Sequence, residues 1–212
     1  QVAAYADQLL GDTYAADGPG AAVLVARGDE VLYRGARGMA SIELGVPLSP
    51  DQVFRIGSVT KQFAAAGLLK LVEAGKVALD DPLSKFLPDY PNAAKISVRQ
   101  LLDHTSGVKS YTNVAGVMEG PIRMDLSTAA LVDSFKDQPA DFAPGAGWAY
   151  NNSGYVLVGA VIEAASGKPW HVHLNDALFA PAGLKSTVYG ANDALIAGMA
   201  NGYTVRDGRV AP

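Results

Sequence analysis

Cysteine is absent from the chain, which excludes disulfides, thiolate nucleophiles and cysteine metal sites. It leaves the redox compartment open. Basic runs are also absent. Seventeen Lys and Arg stand against 21 Asp and Glu, a net charge of −4, so the electrostatic footprint of a nucleic-acid binder is missing. No apolar run approaches the roughly 20 residues of a membrane-spanning helix. Three familiar catalytic strings are missing as well: a Gly-x-Ser-x-Gly elbow, His-Glu-x-x-His, and a Gly-x-x-x-x-Gly-Lys-Ser/Thr phosphate loop. There is no internal repeat, low-complexity segment or linker. The chain starts at Gln1 without methionine. Either a leader has been removed or the sequence starts within a longer chain; the expectation is a periplasmic or secreted protein, with a cytoplasmic location left open.

What is present is a globular balance. Hydrophobic residues make up 49% and charged residues 18% of 212 positions, enough to bury a core in one domain. Val2, Tyr5, Ala6, Leu9, Leu10 and Thr13 have helical spacing, and Gly18-Pro19-Gly20 stops that helix. Ala21–Ala26 reads as an apolar strand. Gly28-Asp29 turns it into a returning strand at Glu30–Arg34, which Gly35 and Gly38 weaken by a bulge or a close approach. From Val59 to Ala74 the composition favours a helix, ended by Gly75. Ser97-Val98-Arg99-Gln100 matches a capping box for a short helix to about His104. Ser127 caps a helix to about Asp137. Asn152 or Ser153 opens another to about Ser166, and a further helix runs from Pro169 to Pro181. One hairpin among so many helices lacks the rest of a sheet, because two strands alone are marginal.

Two Ser-x-x-Lys strings occur, Ser58…Lys61 and Ser106…Lys109. The spacing has chemical meaning on a helix, where positions three apart share a face. A lysine there can reach the serine hydroxyl and, as the neutral amine, accept its proton. Ser58 opens a strong helix, so its amide sits where the helix dipole favours developing negative charge. An ordinary helix cap is the bland reading of the same serine. Ser106 precedes Gly107 in a loop, where the spacing gives no shared face. Tyr-x-Asn occurs at Tyr90, Tyr111 and Tyr150. Only Tyr150-Asn151-Asn152 lies between a Pro-Gly loop and a helix start, where side chains converge on clefts. A packed tyrosine with a capping asparagine is its bland alternative. His171-x-His173 resembles a metal pair, but residues two apart on a helix do not face each other. No metal and no cofactor is expected.

Four segments occur in order: Ser58-Val59-Thr60-Lys61, Leu101-Leu102-Asp103-His104-Thr105-Ser106-Gly107, Phe142-Ala143-Pro144-Gly145 through Tyr150-Asn151-Asn152-Ser153-Gly154-Tyr155, and Pro181-Ala182-Gly183-Leu184-Lys185-Ser186-Thr187. Together they resemble the class C β-lactamase-like serine hydrolases, which include β-lactamases, D-Ala-D-Ala carboxypeptidases, D-aminopeptidases and esterases. The resemblance implies an α+β, β-lactamase/transpeptidase-like fold: an antiparallel sheet flanked by helices plus a mostly helical region. By matched position it implies that Ser58 is the acylated nucleophile, with Lys61 beside it and Tyr150 as its acid/base partner. Asn152 would bind the substrate's amide or ester side chain. Ser58 N–H would give half of an oxyanion hole. His104 would be structural rather than catalytic. Lys61 and Tyr150 remain alternatives for the base, since coupled groups titrate as a unit.

Two departures from that pattern bear on function. Neither Lys-Thr-Gly nor His-x-Gly occurs, although the family carries one of them on a strand that supplies the second oxyanion donor. Losing such a donor costs about 10²–10³ in rate. The expectation is a single hydrolase domain over residues 1–212 whose sheet is incomplete, the N-terminal portion of a longer hydrolase. A C-terminal fragment or second chain would complete it. The wording Leu-Leu-Asp-His-Thr-Ser-Gly is closer to the peptidase and esterase branches. It favours peptide or ester substrates over dedicated antibiotic hydrolysis. The competing reading is a non-catalytic binding or assembly module that keeps the scaffold with an incomplete site.

Overall fold

The computed structural model describes residues 1–118, 120 and 124–211; Pro212, where the sequence ends, lies outside them. The chain forms two compact units. One comprises Gln1–Ile56 with the described residues from Asp193 onward, and the other Gly57–Asn192. The fold class is α+β, as expected.

The first unit is built on helix α1 (Val2–Thr13) and the antiparallel pair β1 (Ala21–Arg27) and β2 (Glu30–Arg37). Ala6 and Leu10, one helical turn apart, pack with Tyr33 of β2 against Val23 and Val25 of β1. The Tyr33 hydroxyl donates to Asp7 at 2.6 Å, so the phenol's polar end is satisfied where its ring is buried. The second strand runs through Gly35 to Arg37, and the pair's bulge falls at Val25/Ala26 instead. At Gly38 the expected close approach is real. A Cβ there would lie 2.6 Å from the Gly20 Cα, so two backbone segments cross with no room for a side chain.

Four short strands follow that sequence patterning does not show: β3 (Met39–Ser41) with β4 (Val46–Pro47), and β5 (Thr204–Arg206) with β6 (Arg209–Ala211). Each has two or three residues, too few for alternation to register. Each pair is antiparallel and two-stranded, so the sheet is partial.

The second unit is helical. Its core gathers Leu68 and Leu71 of α2 (Thr60–Glu73), Val98 and Leu101 of α3 (Val98–Leu102), and Leu157, Val158, Val161 and Ile162 of α5 (Asn152–Ser166). Ala64, Gly67, Leu68 and Leu71 recur at i, i+3, i+4 and i+7, the stripe that aims α2 at α5. Phe135 plugs the core beyond α4 (Thr128–Asp133). The capping box at Ser97 and Gln100 forms in full, and Ser127 accepts from Ala130 N–H as a cap.

Helix α5 opens at Asn152, one of the two expected starts, and runs to Ser166 as expected. Asn151 is its N-cap, with its side chain accepting from Gly154 N–H at 2.7 Å. The helix expected to Asp137 stops at Asp133. The last helix, α6 (Trp170–Leu174), continues as a wider π turn over Asn175–Phe179 before Pro181. Among the described residues no helix is long and apolar enough to cross a membrane.

Candidate active site

Ser58 lies in a single 3₁₀ turn, Gly57–Val59, that runs directly into α2. The next turn of that helix carries Lys61. Its ammonium donates to Ser58 Oγ at 3.2 Å, the contact that three-residue spacing predicts. Tyr150 arrives from the extended segment before α5, 92 positions away in sequence, and its hydroxyl donates to Ser58 Oγ at 2.6 Å. Asn152, in the first turn of α5, accepts from Lys61 Nζ at 2.7 Å. Four sequence candidates thus converge: Ser58, Lys61, Tyr150 and Asn152. Ser58 and Tyr150 are exposed, so the reacting atoms face solvent, while Lys61 and Asn152 are half-buried behind them.

Two further residues belong to this group and carry no signal in the sequence. Thr112 Oγ1 accepts from Asn152 Nδ2 at 3.3 Å and lies 2.9 Å from Ser110 Oγ. Ser110 Oγ accepts from Asn152 N–H at 3.3 Å. The pair fixes the amide of Asn152 so that its oxygen points at Lys61. A hydroxyl inside an irregular loop has no periodicity to betray it.

The electrostatics favour an ionisable tyrosine. The Tyr150 phenol is held below its ordinary value of 10, first by hydrogen bonding with Lys61 and then by the Ser58 hydroxyl. The Lys61 charge adds to this, while desolvation opposes it. The ammonium also sits 4.7 Å from the Tyr150 ring centroid and 5.6 Å from that of Tyr155.

The His-Thr-Ser-Gly segment acts as a template for the loop that delivers Tyr150. Asp141 N–H donates to Gly107 C=O at 2.8 Å, Gly145 N–H to Thr105 C=O at 2.8 Å, and Ala149 N–H to His104 C=O at 3.1 Å. Gly107 has φ 72°, and a Cβ there would fall 1.9 Å from the Phe142 carbonyl oxygen, so only glycine fits. Ser106 is buried, and Lys109 pairs with Asp141 at 2.7 Å. The second Ser-x-x-Lys string is therefore divided between a core hydroxyl and an ion pair.

His171 and His173 serve different neighbours. His173 Nε2 lies 2.9 Å from the Gly67 carbonyl, while His171 stacks on Tyr189 with centroids 4.3 Å apart. Among the described residues no group of three or more His, Asp or Glu is arranged to hold a metal. A separate cavity of about 380 Å³ is walled by Phe86, Leu87, Tyr90, Val132, Ala160 and Glu163, away from the Ser58 group.

A serine at a helix start, with lysine one turn on and a tyrosine hydroxyl on the same oxygen, defines a serine–lysine–tyrosine cluster on an α+β scaffold. The chain belongs to the Beta-lactamase family, whose sequence profile matches residues 3–212. It is 36% identical over 180 residues to Esterase EstB of Burkholderia gladioli, covering 78% of this chain and 46% of that protein. It is 31% identical over 182 residues to Penicillin-binding protein 4* of Bacillus subtilis, covering 85% and 39%. Among solved structures, D-amino acid amidase from Ochrobactrum anthropi SV3 superposes with a TM-score of 0.78 at 33% identity, over 89% of this chain and 52% of that one. The penicillin binding protein of Bacillus halodurans gives 0.80 at 31%, over 92% and 59%. The chain spans about half the length of the curated relatives it matches.

Proposed function

We propose that the chain carries the nucleophile half of a serine hydrolase that works through an acyl-serine intermediate on ester or peptide-like amide substrates. The observation that carries this reading is the convergence of Lys61 Nζ and Tyr150 OH on Ser58 Oγ, at 3.2 and 2.6 Å. A helix-capping serine needs neither.

In the resting arrangement Ser58 Oγ accepts from both partners. Attack requires one of those bonds to reverse, with the partner deprotonated and taking the serine proton. The depressed phenol of Tyr150 lowers the cost of that reversal, and the Lys61 charge stabilises the phenolate. Ser58 Oγ then bonds to the substrate carbonyl carbon. The oxyanion forms beside the Ser58 amide, near the α2 N-terminus, where the dipole opposes its charge. Collapse breaks the bond to the leaving group, which receives the proton from Tyr150 and leaves an acyl ester on Ser58. Water then attacks that ester and gives its proton to the Tyr150 phenolate, which passes it to Ser58 Oγ as the acyl–oxygen bond breaks, releasing the acid and restoring the serine. Asn152 is assigned to the substrate's amide or ester side chain. Its link to Lys61 places it at the edge of the reacting atoms.

The relatives, among them an esterase, penicillin-binding proteins and D-aminopeptidases, support ester and D-amino-acid amide substrates over dedicated β-lactam hydrolysis. A partner segment, a C-terminal fragment or a second chain, would complete the partial sheet and supply the second oxyanion donor. Turnover of p-nitrophenyl esters, D-amino-acid amides and a chromogenic cephalosporin, with and without such a fragment, tests the reading. Ester or amide turnover that vanishes in Ser58→Ala supports it. Turnover that persists in Ser58→Ala rejects it.

A further inference from the structure

His104 has a backbone φ of 65°, a left-handed conformation that non-glycine residues adopt uncommonly and histidine more readily than most. Holding a residue there requires surrounding structure to over-determine it, and such positions cluster where geometry matters. The surroundings of His104 make two hydrogen bonds of unusual placement. Its carbonyl accepts from Ala149 N–H at 3.1 Å, and its ring Nδ1 accepts from Asn151 N–H at 3.1 Å. These are the residues immediately before and after Tyr150. The ring itself lies 4.8 Å from the Tyr150 ring and 5.3 Å from the Tyr155 ring. On its outer side it meets Trp148 edge-on at 6.0 Å.

The acceptor role fixes the chemistry of the ring. Nδ1 can receive the Asn151 N–H only while it carries no proton, which places the ring hydrogen of the neutral form on Nε2. Asn151 is in turn the N-cap of α5, and its side chain also donates to the Val108 carbonyl. A proton on Nδ1 would set two donors against each other at the residue that starts α5 and adjoins Tyr150. The groups facing the ring are Lys61 from α2, Asp103 before it, Tyr150 from the loop and Tyr155 from α5. Burial first, and then the Lys61 charge, keeps His104 below its ordinary value of 6.5, with Asp103 opposing; the neutral acceptor is therefore the form present at neutral pH.

We propose that His104 is a positioning residue for Tyr150 whose neutral Nδ1 and carbonyl clamp the backbone on both sides of it, so that protonation of the ring releases one jaw and slows the site in acid. This rests on the acyl-serine reading only for its consequence in rate; the clamp itself is a statement about tautomer and hydrogen bonding. A histidine that merely filled space between two tyrosines would not need a particular nitrogen free.

Two measurements on the full chain test it. In ring-nitrogen NMR of wild-type protein, His104 should show Nδ1 unprotonated and Nε2 protonated at neutral pH, and the Asn151 amide should shift with the same midpoint as the ring on acidification. The second is the rate of Ser58 labelling by a fluorophosphonate against pH. Its logarithm should rise with a slope of about one where only Tyr150 must lose a proton, and steepen above one near the His104 midpoint, where the released clamp loses about tenfold in rate. His104→Ala should label about tenfold more slowly at neutral pH, less than the roughly 10²-fold that a 1 Å misplacement can cost, because the carbonyl that accepts from Ala149 is kept. In His104→Asn the amide oxygen can replace Nδ1 and the residue tolerates left-handed backbone; it should recover most of that loss and keep the single slope into acid. A protonated Nδ1 at neutral pH, or a His104→Ala variant with wild-type rate and profile, overturns the clamp. If wild-type protein supplied with its completing strands takes no label at all, the acyl-serine reading fails, and the NMR result alone decides the clamp.

Discussion

At the scale of single residues, the site is a matter of what Tyr150 is allowed to become. Three contacts decide it: the Ser58 oxygen at 2.6 Å, the Lys61 ammonium 4.7 Å from its ring centroid, and solvent on its open side. Because the phenol is pushed below 10, the phenolate fraction at a given pH exceeds that of a free tyrosine. A reaction that needs the phenolate therefore gains rate as pH rises through the lowered value and levels off above it. Carbon-13 NMR at the tyrosine Cζ should find Tyr150 titrating below 10. In Lys61→Met, which removes the largest of the lowering interactions, the midpoint should move up toward the ordinary value. Tyr150→Phe should cut acylation by about 10²–10⁴. As an exposed position it should change stability by no more than about 0.5 kcal/mol, read by denaturant unfolding.

Among secondary-structure elements, the start of α5 bears the most weight. Asn151 is buried, caps the helix through Gly154 N–H, and donates to the Val108 carbonyl. Asn151→Ala removes a cap worth about 1 kcal/mol and leaves a buried carbonyl unpaired at about 1–3 kcal/mol more. Urea unfolding should report a loss of about 2–4 kcal/mol, together with slower labelling at Ser58 because Tyr150 and Asn152 flank the capped residue. In the core, Leu68→Ala on α2 should cost about 2–5 kcal/mol, since Leu68 is fully buried against α5. Long helices were legible from spacing and composition, and so was the capping box at Ser97. The start of α5 falls at Asn152, one of its two expected openings; that Asn151 caps it is decided only by three-dimensional partners, since Asn151, Asn152 and Ser153 are all good caps. The strands of two or three residues carry no readable alternation and went unseen.

For the molecule as a whole, the sequence carried the site further than the sheet. Ser58, Lys61, Tyr150 and Asn152 could be named because their motifs are short, local and anchored at helix starts, and the fold brings all four together. Ser110 and Thr112 could not, because their role depends on a contact some 40 positions away. His104 was read as structural, and its ring and carbonyl do hold the loop. That they hold it at Tyr150 is visible only in the folded chain. The three strand pairs remain two-stranded within a chain that spans about half the length of its curated relatives. The central claim is therefore chemical and local: Ser58 is a nucleophile made reactive by Lys61 and Tyr150. Intact mass spectrometry after fluorophosphonate treatment, followed by peptide mapping, tests it most directly. The account predicts one adduct per chain, located on Ser58, absent in Ser58→Ala and slowed in Tyr150→Phe. A folded wild-type chain, supplied with its completing strands, that takes no adduct or takes it on another residue would contradict the account.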